Sequence, residues 1–191
     1  MEKSGGMTGG HMRRTGRYIG IFLDLLGWVN LFPKVILSWD RDSFIRSAQL
    51  HDLGKISVKN SILFKPGRLT KAEFEEMKTH IYWGIEIIEE LQKYSSPGDV
   101  FKYTKTCIGT HHEWWDGSGY PLGLKGRQIP LQGRIMAIVD VYDALVSERP
   151  YKKPYCHDEA VRLIMQGRRS HFDPLLADLF LAGSRRFEEV R

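Results

Sequence analysis

Apolar residues recur at the spacing of an α-helix along most of the chain. The first helix is predicted to begin at residues 8–11, and its apolar stripe comprises Met12, Thr15, Ile19, Phe22, Leu23 and Leu26. Residues three and four positions apart lie on one face of a helix, so this pattern predicts a helix that buries that face. The run over residues 18–37 is the most apolar in the chain, but charged residues and a proline interrupt it. It therefore predicts a buried helix followed by a break, and not a membrane span.

Capping signals indicate where the next helices begin. A second helix is predicted to begin at residues 40–42 and to carry an apolar face as far as His51. Thr70 and Glu73 have the spacing of a capping box, which predicts a long helix that continues to Leu91.

The second half of the chain is predicted to be helical as well, apart from a Gly-rich irregular stretch over residues 113–129. Ser96-Pro97 is a start signal, because proline is favoured at the first position of a helix. The predicted helices are 96–112, 130–147, 158–166 and 174–189, the last capped by Asp173. No segment alternates at the period of a strand and no internal repeat is present, so the pattern predicts an all-α, single-domain fold.

Composition narrows the classes of function. With 191 residues, 42% hydrophobic and 27% charged, the chain fits one globular domain. Its 28 Lys and Arg exceed its 23 Asp and Glu by only five, and they are scattered, so no DNA or RNA partner is expected. Two cysteines and no visible secretory signal predict a reduced, cytoplasmic protein. Residues 1–10 are Gly-rich, and we set them apart from the domain at 11–191 as a segment that can include residues left from cloning.

His51 and Asp52 close an apolar helix and are followed by Lys55. Neighbouring residues on a helix point about 100° apart, so the imidazole and the carboxylate can reach different metal ions, and a carboxylate can also bridge two. Lys55 lies three residues after Asp52, on the same face, where its ammonium group can contact a phosphate oxygen beside the metals. A His-Asp pair alone is more typical of a surface pair or a cap, but the Gly-Lys behind it favours a functional site.

Three more histidines strengthen this interpretation. His80 lies on the apolar side of its predicted helix, and Gly84 one turn later permits another element to approach. A single histidine there is more typical of a hydrogen-bonded core residue than of a ligand. His111 and His112 are a stronger signal, because two adjacent, partly buried imidazoles repel when both are protonated and metal binding keeps them neutral.

Asp140 follows five apolar residues, so it enters the core as a carboxylate that needs a partner. Asp143, one turn later, is a candidate for a supporting group or a proton carrier. With His11 near the start of the chain, these side chains predict a site for two or three metal ions on converging helices. Nitrogen and oxygen ligands favour Fe, Mn or Zn, and such a site usually hydrolyses a phosphate ester.

The loop Glu113–Pro121 directly follows the two histidines. Its glycines permit close approach of the backbone to a ligand, and its aromatic rings offer faces for stacking on bases. The alternative is a surface turn with ordinary aromatic packing. Further on, Arg149 and Lys152-Lys153 form a small basic group suited to phosphate or to guanine edges, although a charge run alone is more typical of a solvated face.

Five motifs, in this order, resemble those of the HD-GYP family, a branch of the HD metallohydrolases. They are His51–Lys55 (HDLGK), His80–Gly84 (HIYWG), His111–Glu113 (HHE), Asp116–Pro121 (DGSGYP) and Asp140–Leu145 (DVYDAL). The resemblance runs from about His11 to Leu181. It implies an HD-type helical bundle with a di- or trinuclear site in its core, usually iron or manganese. It also implies hydrolysis of cyclic di-GMP to linear pGpG and in some members on to GMP.

The resemblance also implies roles for individual residues. The metal ligands would be His51, Asp52, His80, His111, His112 and Asp140, with Asp52 bridging and His11 as an upstream ligand. The substrate-contacting residues would be Lys55, Tyr120, Arg149 and Lys152. Catalysis would use Asp52, Lys55 and Asp143 while a metal-bridged hydroxide attacks phosphorus in line.

Two positions depart from the family pattern. Met7 stands where members with a third metal carry a glutamate, and a thioether is a poor ligand for iron or manganese. This departure predicts a dinuclear centre, with His11 a weak or absent ligand and hydrolysis that stops at the linear dinucleotide. Trp114 replaces what is commonly a basic or polar residue.

Two alternatives to this enzyme remain open. One is a metal-containing module that senses a cyclic dinucleotide or docks a signalling protein without turnover. The other is an HD hydrolase that acts on a different nucleotide. The intact Asp140, Lys55 and Gly-Tyr-Pro loop favour the cyclic di-GMP phosphodiesterase. The expected partners are cyclic di-GMP and a diguanylate cyclase or another signalling protein.

Overall fold

The computed structural model describes residues 9–95, 98–148 and 153–190. These residues form ten α-helices and two 3-10 segments and contain no strand, which confirms the predicted all-α fold. None of the described helices is both long and apolar enough to cross a bilayer. The helices are α1 (Gly9–Trp28), α2 (Pro33–Ile36), α3 (Arg41–Ala48), α4 (Asn60–Leu63), α5 (Lys71–Lys78), α6 (His80–Lys93), α7 (Asp99–Thr110), α8 (Leu131–Val146), α9 (His157–Gln166) and α10 (Pro174–Glu188), and the 3-10 segments are Leu53–Ser57 and Gly126–Gln128.

The main hydrophobic core lies where α1, α8 and α10 pack together. The stripe predicted on α1 is largely buried, and the rings of Tyr18 and Tyr142 meet edge to face at 5.3 Å. Gly183 brings α10 close to α1, because a Cβ atom there would lie 2.3 Å from Leu25 Cδ1. The aromatic edge-to-face pair fixes the position of α1 relative to α8, and the tight contact at Gly183 fixes it relative to α10.

A second layer consists of α3, α6 and α7, with the 3-10 segment Leu53–Ser57 packed against α6. A Cβ atom on Gly54 would lie 1.9 Å from the carbonyl oxygen of His80 and 2.4 Å from the amide nitrogen of Gly84. A Cβ atom on Gly84 would in turn lie 3.2 Å from the Gly54 amide nitrogen. The prediction that Gly84 permits close approach of another element is therefore confirmed, and that element is the 3-10 segment.

The helix predicted from Thr70 to Leu91 is wrong in one respect, because it is two helices that meet at Thr79. The capping box at Thr70 is present. At the junction, Thr79 Oγ1 donates to the Glu76 carbonyl and His80 Nδ1 donates to the Met77 carbonyl. These side-chain donors occupy acceptors that a continuous helix would use for main-chain N–H groups four residues later.

Two further boundaries differ from the prediction. α3 ends at Ala48, so His51 and Asp52 lie in the turn between α3 and the 3-10 segment rather than on a helix. The helix predicted over residues 96–112 begins at Asp99, after an extended Gly98, and ends at Thr110, so His111 and His112 follow the helix instead of lying on it. Ser96-Pro97 lies outside the described residues. The cap predicted at Asp173 is confirmed, since its carboxylate accepts from the amide of Leu175 at 2.9 Å.

Candidate metal centre

The structure brings all seven predicted metal ligands together in two adjoining groups. Within each group, one ligand-type atom from every residue lies within 4.8 Å of the others. The first group is Asp52, His80, His111 and His112, and the second is His11, His51 and Asp140. The residues come from α1, from the turn after α3, from α6, from the end of α7 and from α8, so the centre forms only when the bundle is folded.

Asp52 lies between the two groups. Its Oδ1 faces the first group, at 3.7 Å from Nε2 of both His80 and His111. Its Oδ2 faces the second group, at 3.5 Å from His51 Nε2. His51 Nε2 also lies 3.5 Å from Asp140 Oδ1. This is the placement that a carboxylate shared by two cations requires.

Hydrogen bonds to the main chain orient three of the histidine rings. The Nδ1 atoms lie 2.8 Å from the Ala48 carbonyl for His51, 2.8 Å from the Met77 carbonyl for His80 and 2.9 Å from the Cys107 carbonyl for His111. A carbonyl only accepts, so each Nδ1 carries the hydrogen and, in the neutral ring, each Nε2 keeps a lone pair. Fixing the tautomer in this way is typical of metal-ligating histidines.

The inward-facing atoms are buried and have no hydrogen-bond partner among the described residues. They are Nε2 of His51, His80 and His111, and Oδ1 of Asp52. Buried polar atoms are almost always hydrogen-bonded, so four exceptions that face one another need a physical reason. A set of imidazole nitrogens and a carboxylate oxygen is the donor set that divalent transition metals prefer. The residues therefore fit a metal centre.

Burial and charge set the protonation of this centre. Burial lowers the pKa of His80 to about 4, more than Asp52 raises it. Burial, and then the neighbouring His111, hold the pKa of His112 well below its usual value. His51 differs: burial opposes its charged form, but Asp52 and Asp140 outweigh burial and raise its pKa. The carboxylates thus attract a positive charge to the junction of the two groups, where a cation would be stabilised.

Asp143 lies beside the second group and supports His11. Its Oδ2 accepts from His11 Nδ1 at 2.7 Å, and its Oδ1 accepts from Arg14 Nε at 2.6 Å. Burial opposes ionisation of Asp143, yet His11 and then Arg14 hold its pKa below the usual value. With Nδ1 so engaged, His11 turns Nε2 toward Asp140 Oδ1, 4.0 Å away. Of the two roles expected for Asp143, this geometry favours the supporting one over proton transfer.

Lys55 and Tyr120, two of the predicted substrate contacts, both lie at the centre. Lys55 Nζ is 2.5 Å from Asp52 Oδ2. The Tyr120 ring stacks on His112 with the ring centroids 4.7 Å apart. Burial, and then Asp52 and Asp140, raise the pKa of the Tyr120 hydroxyl, so the hydroxyl remains a hydrogen-bond donor near these carboxylates.

Glu113 holds the loop that carries Tyr120, a role that the sequence pattern did not reveal. Its side chain is 1% exposed, and its two oxygens accept from the amides of Leu122 at 2.7 Å and Leu124 at 2.9 Å. The Tyr120 amide in turn donates to the His112 carbonyl at 3.1 Å. An acid directly after two histidines, inside a Gly-rich loop, is the only signal that the sequence offers for this role.

Of the other residues that the sequence analysis singled out, the structure describes Trp114 but not Met7, Arg149 or Lys152. The Trp114 ring stacks on His171 at 4.3 Å and is 39% exposed, so ordinary aromatic packing accounts for one of its faces. Met7, Arg149 and Lys152 lie outside the described residues. Their predicted roles, and the prediction that His11 is a weak or absent ligand, stay predictions.

The chain is similar in sequence to curated proteins that are named phosphodiesterases. The chain is 42% identical over 184 residues to a protein of Vibrio cholerae named "Probable cyclic di-GMP phosphodiesterase", covering 96% of this chain and 42% of the relative. It is 35% identical over 184 residues to another V. cholerae protein, named "3'3'-cGAMP-specific phosphodiesterase 2", covering 96% of this chain and 33% of the relative. The chain thus spans less than half the length of these curated relatives.

A solved structure described as an HDG"Y"P protein from Bdellovibrio bacteriovorus superposes with a TM-score of 0.62 at 15% identity, covering 90% of this chain and 51% of that chain. At this identity the likeness shows the fold. The model of the family described as "HD domain" matches residues 35–176, which include every ligand candidate except His11. These findings agree with the HD-GYP motifs, and the chain belongs to the HD domain family.

Proposed function

We propose that residues 11–191 form a metal-dependent phosphodiesterase domain that hydrolyses cyclic di-GMP to linear pGpG. The single observation that carries this proposal is a set of four buried nitrogen and oxygen atoms of metal-ligand type. They face one another and have no hydrogen-bond partners among the described residues. The name of the 42%-identical relative supports the choice of substrate.

A first ion would be held by Asp52, His80, His111 and His112, and a second by His11, His51 and Asp140, with Asp52 within reach of both. This assignment treats His11 as a full ligand, in contrast to the weak or absent ligand expected from Met7. Iron or manganese fits these nitrogen and oxygen donors, and zinc is the alternative. Bound ions would supply Lewis-acid stabilisation of the phosphate charge and a water of lowered pKa. A third ion would need a further ligand from the region of Met7, and a thioether suits it poorly.

The reaction consumes one water and opens one phosphodiester of the cyclic substrate. The water oxygen bonds to phosphorus, the bond from phosphorus to the ribose 3′ oxygen breaks, and that oxygen takes up a proton. Lys55, whose ammonium group lies against Asp52, is placed to contact a phosphate oxygen at the centre. The protonated Tyr120 hydroxyl is a second hydrogen-bond donor near Asp52 and Asp140. Arg14 and Asp143 hold the His11 ring in position throughout.

A second candidate substrate is 3′3′-cGAMP, which the 35%-identical relative is named for. The two cyclic dinucleotides share their sugar-phosphate ring and differ in one base, so the metal centre alone does not separate them. Selection between them is expected to come from base contacts, for which Arg149 and Lys152 remain the predicted residues.

The test is turnover by the purified chain after anaerobic loading with Fe²⁺ or with Mn²⁺. Cyclic di-GMP and 3′3′-cGAMP are supplied separately, and the products are resolved by chromatography. We expect pGpG from cyclic di-GMP with the higher kcat/KM, no turnover by Asp52→Asn, and wild-type turnover by Asp42→Asn, which changes an exposed carboxylate on α3. Metal-loaded wild type that binds cyclic di-GMP without cleaving it would instead favour a sensing module, and faster cleavage of cGAMP would reassign the substrate.

A further inference from the structure

A wall of side chains leads outward from the first ligand group toward solvent. It consists of Tyr120, which stacks on His112, and of Phe74, whose ring meets the Tyr120 ring edge to face at 5.8 Å. Lys78 lies over both rings, with Nζ 5.5 Å from the centroid of Phe74 and 5.6 Å from that of Tyr120. We call these three residues the outer wall. No motif in the sequence draws attention to Phe74 or Lys78.

The metal centre and the outer wall are also close along the chain. Lys78 ends α5, His80 begins α6, and the carbonyl of Met77 in the last turn of α5 accepts from His80 Nδ1. Lys78 is therefore two residues from His80, a proposed ligand. Lys78 Nζ lies 5.6 Å from the centroid of the Tyr120 ring, and that centroid lies 4.7 Å from the centroid of the His112 ring. The Lys78 ammonium group is therefore one aromatic ring away from the first ligand group.

The ammonium group of Lys78 is held in a way that permits exchange of its partner. Its present partner is Glu75, at 2.7 Å, and that side chain is 57% exposed while the side chain of Lys78 is 25% exposed. Ion pairs of exposed residues contribute little, because water competes and salt screens them. The aromatic faces beneath Lys78 favour a cation and limit its hydration from one side. A phosphate diester that arrives here can replace Glu75.

Other lysines near α5 do not share this environment. Lys59 pairs with Glu76 and Lys65 pairs with Glu73, which brace α5 from the preceding segment. Among the lysines that the structure describes, Lys78 alone has its ammonium group over aromatic rings. This difference sets Lys78 apart from ion pairs that only stabilise the helix.

The proposed substrate needs a second anion contact. A cyclic dinucleotide carries two phosphodiesters in one ring, and only one is hydrolysed in a turnover. When the scissile phosphate lies at the metal centre beside Lys55, the other phosphate remains charged and has to be accommodated nearby. We propose that Lys78, above Phe74 and Tyr120, binds the phosphodiester that is not being hydrolysed. This inference rests on the proposed function and adds a residue to its substrate-binding site.

The test compares two substrates in the metal-loaded protein. Cyclic di-GMP has two phosphodiesters, whereas bis(p-nitrophenyl) phosphate has one, so only the former can use a second phosphate contact. Lys78→Met retains an apolar stem over the rings and removes the charge. We expect it to raise KM for cyclic di-GMP about tenfold, the loss of one charge-assisted hydrogen bond, with kcat changed less than about threefold. The rise in KM for bis(p-nitrophenyl) phosphate should be at least about fivefold smaller than that for cyclic di-GMP.

Three further variants test whether the charge of Lys78 causes the effect. Lys78→Arg should recover most of the affinity, because it restores the positive charge. Glu75→Gln should lower KM for cyclic di-GMP or leave it as in the wild type, because it removes the competing carboxylate. Lys93→Met, which removes the lysine of an exposed ion pair with Glu90 on α6, is the matched control and should behave as wild type.

The outcomes separate this inference from the proposed function. If the wild type hydrolyses both substrates and Lys78→Met keeps the wild-type KM for cyclic di-GMP, the inference is wrong and the function stands. Equal losses on both substrates, or a lower metal content in Lys78→Met, would show a merely structural role and also overturn it. If the metal-loaded wild type hydrolyses bis(p-nitrophenyl) phosphate but not cyclic di-GMP, the proposed substrate is wrong.

Discussion

The contact between the 3-10 segment and α6 gives a sharp test of how the centre is built. A methyl group on Gly54 would lie 1.9 Å from the His80 carbonyl oxygen and 2.4 Å from the Gly84 amide nitrogen. Ordinary contacts between carbon and oxygen are about 3.3 Å or longer, so the segment and α6 must separate by more than about 1 Å. Both neighbours are main-chain atoms of one helix, so no side chain can rotate to relieve the overlap.

Gly54→Ala should therefore belong to the exceptional class of substitutions, which lower the free energy of unfolding by about 4 kcal/mol or more. In a chain of this size that loss corresponds to a fall in Tm of about 8 °C or more. Because the displacement moves His80 away from Asp52, we also expect weaker metal binding in the first ligand group. The assays are thermal unfolding of the metal-free protein and elemental analysis after reconstitution.

Gly27→Ala is the matched control. Gly27 lies in α1, and a Cβ atom there would meet nothing within 4 Å. Replacing a helical glycine by alanine at such a site stabilises by up to about 1 kcal/mol, so Tm should stay or rise. A Gly54→Ala protein with wild-type Tm and full metal content would refute the reasoning, and so would equal damage from Gly27→Ala.

Two further substitutions probe the groups that support the centre. Glu113→Gln leaves one amide oxygen for two main-chain donors, so it should lower the free energy of unfolding by about 1.5–3 kcal/mol. It should also raise KM, because the loop that carries Tyr120 loses its anchor. Unchanged thermal melts and kinetics would contradict the anchoring role. Asp143→Asn removes the charge that holds His11 and should weaken metal binding by about 10–100-fold. Competition with a chelator measures this affinity, and a wild-type value would contradict the supporting role of Asp143.

Much of the fold could be predicted because it depends on local signals. The apolar stripe of α1 was predicted from its helical period, and the caps at Thr70 and Asp173 form hydrogen bonds that their own neighbours specify. The break at Thr79 could not be predicted in this way. It depends on two side-chain hydrogen bonds, from Thr79 Oγ1 to the Glu76 carbonyl and from His80 Nδ1 to the Met77 carbonyl, which neither the helical period nor a capping signal marks.

The candidate site divides along the same line. The order of the motifs predicted the seven ligand candidates, and the structure brings these residues together. Arg14, Phe74 and Lys78 carry no such signal, because each acquires its surroundings only through the fold. Arg14 meets Asp143 across 129 residues of sequence, and Lys78 at the end of α5 meets Tyr120 in the loop that follows α7.

The most direct test of the central claim is the number of metal ions that the folded chain holds. The wild-type protein is reconstituted anaerobically with Fe²⁺ or with Mn²⁺, unbound metal is removed, and metal and protein are quantified in the same sample. The two ligand groups predict two equivalents per chain, falling to one or fewer in Asp52→Asn because that carboxylate is shared. A wild-type content of one equivalent or less would contradict the shared two-ion centre, and three equivalents would contradict the dinuclear prediction made from Met7.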